Sequence, residues 1–149
     1  MTAHELQKRF PKLAESHFSI ESPMTLKYNC IAFAADDQSQ WWEHGTPLCY
    51  WPPGATDGET LDGWARVFEL HGYSTASDES LEAGYEKVAI YVELDMTPTH
   101  VAKQLPDGRW KSKLGKGHDI EHETLDALEG DQMDEYGIVA RFLKRQRKA

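Results

Sequence analysis

The stretch from Tyr85 to Leu114 limits the possible folds more than any other part of the chain. "EKVAIYVEL" alternates in polarity and is rich in β-branched residues, the composition of a strand on a pleated, half-buried surface. "THVAKQL" and "RWKSKL" follow as two further strands. The Pro106-Asp107-Gly108 stretch between them has hairpin chemistry, in which proline presets φ and glycine supplies the left-handed position. Strands this close in sequence pair antiparallel, since a parallel return needs a long crossover.

The rest of the chain supplies the layer that covers this meander. "HELQKRF" reads as a short helix stopped by Pro11. Asn29 is a good N-cap, and Ile31, Ala32, Phe33, Ala34 and Ala35 follow as compact apolar residues, which puts Cys30 in the first turn of a buried helix. "TLDGWARVFELHG" carries Leu61, Trp64, Val67, Phe68 and His71 at helical spacing and ends at Gly72. Between these two helices, "GTPLCYWPPGATDG" reads as a loop that carries Trp51. "DIEHETLDALEG" reads as a short acidic helix and "EYGIVARFLKR" as a last strand, with a helix as the alternative. The order predicts an α+β fold, with N-terminal helices packed on a small antiparallel sheet. One domain spans residues 1–149, with 1–20 as an N-terminal extension and 144–149 as a solvated basic tail.

Composition narrows the function classes. With a net charge of −9 over 149 residues, the chain has little to neutralise phosphates with, which argues against nucleic acid as a partner. Five Trp, six Tyr and five Phe are enough aromatic mass for a real core. The charged N-terminus lacks the apolar core of a signal peptide, and no segment reaches bilayer-spanning length. Two cysteines, Cys30 and Cys49, do not make a disulfide framework. A cytoplasmic location, or export without a cleaved signal, is the expectation.

Cys30 and His100 form the constellation with the most chemistry. A thiol at a helix start sits near unsatisfied N–H groups that favour thiolate, and such a nucleophile needs a base to take and return its proton. His100 heads a strand later in the chain than Cys30. A third group should accept the other imidazole N–H. Ser112 on the paired strand and Asp119 beyond the Gly115–Gly117 turn are the two candidates, the first by register and the second by charge. The Cys30 N–H with the Asn29 or Tyr28 side chain would make the oxyanion hole. Trp41, Trp42, Trp51 and Trp110 are candidates to wall a substrate cleft. Cys49 reads as structural.

Two other arrangements compete. "HDIEH" would put His118 and His122 on one helix face as metal ligands, but a surface acidic helix capped by Asp119 explains the run more simply, so no metal or other cofactor is expected. A non-catalytic binding module would instead use Trp41, Trp42 and Trp51 as an apolar docking surface.

The runs "YNCIAFAADD", "GYEKVAIYVE", "PTHVAKQLPDGRWKSKLG", "DIEH", "LEG" and "YGIVARFLKR" together resemble an uncharacterised bacterial domain family, over roughly residues 26 to 145. More loosely, the chain is similar to the papain-like superfamily, including NlpC-type hydrolases. There an Asp-Cys opens the helix and the His opens a strand of the form His-Val-x-x-Tyr; Asn29-Cys30 and His100-Val101-Ala102 occupy those places. The third polar residue of NlpC-type domains, often His, falls where Ser112 stands, which is a departure. The resemblance implies papain-like architecture and a thiol hydrolase or transferase acting on an amide, ester or isopeptide bond of a protein, peptide or small amide. Peptidase, amidase, deamidase and bacterial effector toxin are all roles of that kind.

Overall fold

A computed structural model of the protein describes residues 2–131 and 135–148. Helix α1 (Ala3–Arg9) and a 3-10 turn (Pro11–Glu15) lead into strand β1 (Phe18–Ile20). Helices α2 (Cys30–Ala34) and α3 (Leu61–Glu69) follow, then β2 (Ser74–Ala76), β3 (Tyr85–Val92), β4 (Pro98–Gln104), β5 (Trp110–Lys113) and β6 (Asp119–His122). A second 3-10 turn (Asp126–Leu128) precedes β7 (Ile138–Gln146). The strands form one seven-stranded sheet in the order β1-β6-β5-β4-β3-β7-β2, antiparallel between all neighbours. The fold is α+β, with its helices interleaved among the edge strands rather than gathered as one N-terminal block.

Local chemistry sets the boundaries. The Thr2 hydroxyl and the Glu5 carboxylate cap α1 reciprocally, and the chain turns out of helical geometry before Pro11. The Asn29 side chain caps α2 through the Ala32 N–H, and Thr60 caps α3 through the Gly63 N–H. The β4–β5 hairpin closes through a three-residue turn, Pro106 to Gly108, with Gly108 at φ +93°. Gly137 is obligatory for a second reason: at φ +80° a Cβ there would collide with the Val92 carbonyl.

Both faces of the sheet are buried. In antiparallel pairs, directly opposed residues share a face. Val88, Ile90, Val101, Lys103, Lys111, Lys113 and Asp119 therefore lie together on the face covered by α2 and α3. Ala89, Tyr91, His100, Ala102, Trp110, Ser112, Ile120 and His122 lie on the other, under α1 and the two 3-10 turns.

Three expectations are revised. "DIEHETLDALEG" starts as strand β6, not as a helix, because Ile120 and His122 point into the core while Glu121 points to Arg109. The first twenty residues are no loose extension: Leu6, Phe10 and Leu13 are fully buried, and β1 pairs with β6. The basic run begun at Lys144 stays in β7 through Gln146, where Lys144 binds Glu82 and Arg145 binds Glu86. Among the described residues, no helix is long and apolar enough to cross a membrane.

Candidate active site

α2 packs across β4 and β5. β4 and β5 pair only at Lys103–Lys111 and Gln104–Trp110, so the start of β4 has no β5 neighbour. The Val101 N–H is among the backbone groups that lie near enough to the Cys30 sulfur to favour its thiolate. The thiol thus lies beside the residue after His100, with Val101 facing α2 and His100 facing the other side of the sheet. Cys30 is buried, and loss of water pushes its pKa up to about 11. Backbone donors and the Lys113 ammonium pull the other way without overcoming that burial. Lys113 is held by the carbonyls of Thr25 (2.9 Å) and Gly115 (2.5 Å), over the Tyr28 ring.

His100 is fully buried on the α1 side of the sheet. Tyr136 stacks on it with ring centroids 4.2 Å apart and planes 1° from parallel, and Tyr91 meets it edge-on at 5.3 Å. Neither ring nitrogen has a hydrogen-bond partner, and among the described residues His100 is the one side chain with two such buried atoms. Burial holds its pKa well below the usual histidine value, so the ring is neutral. In this state the Cys30–His100 pair is a neutral thiol and a neutral imidazole, with no hydrogen bond between them.

The other expected site residues are placed as follows. The Ser112 hydroxyl shares the His100 face but lies 2.8 Å from Nε2 of His122. Nδ1 of His122 must donate to the Thr124 carbonyl at 2.9 Å, so its Nε2 is the acceptor and Ser112 the donor. Burial lowers the His122 pKa to about 4. Asp119 lies on the opposite face, where it accepts from the Tyr28 hydroxyl (2.7 Å) and from Ser22. Neither residue orients His100 here, Ser112 because His122 occupies it and Asp119 because strand alternation turns it away. The Asn29 amide donates to the Trp42 carbonyl at 2.7 Å while its oxygen caps α2, so this side chain ties the loop to the helix.

Trp42 and Trp110 are core residues on opposite faces of the sheet, Trp51 packs half-buried against the first core, and Trp41 is half-buried. The four do not form one wall, and Trp42 is not available to a docking surface. His118 bonds the Ser22 carbonyl while His122 bonds Ser112 and Thr124, and a strand sets two such positions about 13 Å apart.

His122 and Tyr136 were missed as members of this neighbourhood. The alternation in "DIEH" signals a strand and with it the inward His122; nothing in "EYG" signals that Tyr136 covers a histidine. A cleft of about 500 Å³ opens beside Val92 and Gly137, neighbours of Tyr91 and Tyr136, and its rim carries Glu93, Asp95, Glu129 and Glu135.

One family model, described as a domain of unknown function (DUF7689), matches residues 19–144. No curated protein and no solved structure matches the chain.

Proposed function

For this chain, which belongs to the DUF7689 family, we propose a thiol hydrolase or transferase acting on an amide, ester or isopeptide bond, with Cys30 as nucleophile and His100 as general base. One observation carries the reading: the Cys30 sulfur lies near the Val101 N–H, next in sequence to His100, and His100 keeps both ring nitrogens buried without a partner. An unsatisfied buried polar group costs about 1–3 kcal/mol, so a fold that needed only a filled space there would carry a phenylalanine. The imidazole is retained for chemistry, at a cost in stability.

In the working step His100 takes the thiol proton as the sulfur attacks the carbonyl carbon. The proton then passes to the departing amine or alcohol, and water or a second acceptor releases the acyl group from sulfur. The Cys30 N–H is the oxyanion donor, and Lys113 adds positive charge beside the sulfur. The acidic rim of the neighbouring cleft favours a neutral or cationic substrate. The papain-like arrangement belongs to this proposal, as does a reducing compartment, which two free cysteines suit.

Incubation with an activated acyl ester, followed by peptide mass spectrometry, tests the reading. An acyl adduct on Cys30 that is absent from Cys30→Ala and from His100→Ala is expected. Equal acylation with and without His100 would overturn the reading.

A further inference from the structure

A stack of side chains runs from the N-terminal segment to His100. The Arg9 guanidinium lies over the Phe10 ring at 4.8 Å and over the Tyr136 ring at 5.5 Å, with its Nη2 3.5 Å from the Tyr136 hydroxyl. Phe10 meets Tyr136 at 5.2 Å, and Tyr136 covers the face of His100. The Tyr136 backbone is fixed independently of this stack. Thr99 Oγ1 donates to its carbonyl at 2.6 Å, and the next residue, Gly137, exchanges two backbone hydrogen bonds with Gly130. The ring can therefore turn about its side-chain bonds while its backbone stays in place, and Phe10 and Arg9 oppose that turn. The family-matched region begins at Ser19, just after the segment that supplies Phe10 and Arg9.

We infer that residues 2–17 are an autoinhibitory cap, in which Phe10 and Arg9 clamp the Tyr136 ring over His100, and that displacing the cap opens His100 to substrate. The inference rests on the thiol reading above, whose latent neutral pair it explains. Of the surrounding groups, Tyr91 is hydrogen-bonded to the Leu125 carbonyl and His122 to Ser112, which leaves Tyr136 as the cover that can move.

The full-length Phe10→Ala variant tests the cap against Leu128→Ala, which removes an equally buried side chain from the same core but no member of the Arg9–Phe10–Tyr136 stack. The readout is the rate at which diethyl pyrocarbonate modifies His100 in folded protein. Phe10→Ala should raise that rate about tenfold or more over wild type, and Leu128→Ala should not. Arg9→Gln, which opens no cavity, should raise it by a smaller factor and keeps the test alive if Phe10→Ala fails to fold. Equal rises in Phe10→Ala and Leu128→Ala, or no rise in either cap variant, would overturn the cap. Iodoacetamide labelling of Cys30 in the Phe10→Ala background, with and without His100→Phe, separates the two ideas. Exposed His100 with His-independent labelling sinks the thiol reading and leaves the cap, whereas His-dependent labelling that is as fast in wild type sinks the cap alone.

Discussion

The network around Lys103 and Glu86 and the neighbourhood of His100 bury polar groups in opposite ways. In the network, under α2 and α3, the groups are charged and paired. Lys103 bonds Asp36 at 2.6 Å, Glu86 accepts from Arg145 at 2.7 Å, and Arg145 also reaches Asp36 at 3.1 Å. Lys87, fully buried and by alternation on the same face as Ala89 and Tyr91, is likewise met by Asp78 and Glu82 at the sheet's margin. Around His100, by contrast, the buried groups are His100, Ser112, His122 and Tyr91, neutral among aromatic rings, and both nitrogens of His100 go without a hydrogen bond. Buried charges must be satisfied or the fold fails, whereas a neutral imidazole can be left wanting at a tolerable cost.

The comparison breaks most readily on the charged side. Glu86→Ala leaves Lys103 and Arg145 short of a buried counter-charge and should cost about 3 kcal/mol in urea unfolding, in line with breaking one partner of a buried network. A loss below about 1 kcal/mol would mean that these pairs behave as surface ion pairs do.

Acid should expose the neutral side. His122 has a folded pKa of about 4, against 6.5 unfolded, and burial depresses His100 in the same direction. The unfolded chain therefore binds more protons below pH 6.5. The stability these rings contribute is complete above that pH and is lost as pH falls toward 4. For His122 alone the loss is about 3 kcal/mol. Unfolding free energies at pH 7 and pH 4 check this, with His122→Gln expected to flatten the dependence. Ser112→Ala removes one buried neutral bond and should cost about 1 kcal/mol by the same measurement, less than the Glu86 change.

How much of this was legible in sequence follows from the range of the interactions. The meander was readable because alternation and turn chemistry are local, as was the Asn29 cap that places Cys30. That His100 begins a strand was readable too; which face it occupies depends on where α2 docks, which no local pattern records. "DIEH" misled because Asp, Glu and His suggest a solvated helix, while the charges in question find partners in Tyr28, Ser22 and Arg109 far along the chain. Buried Lys87, Lys103 and Lys113 have no local signal for the same reason. Tyr136 joins the site through one stacking contact from the far end of the chain, the kind of packing that only the assembled fold defines.

A catalytic role for His100 means that its ring is kept for chemistry at the expense of stability. Urea unfolding of His100→Phe at pH 7 tests that most directly, since phenylalanine keeps the stack with Tyr136 and removes both unmet nitrogens. The variant should be at least as stable as wild type, by up to about 1 kcal/mol. A loss of about 2 kcal/mol or more would show that the imidazole nitrogens hold the fold together, and would contradict that role.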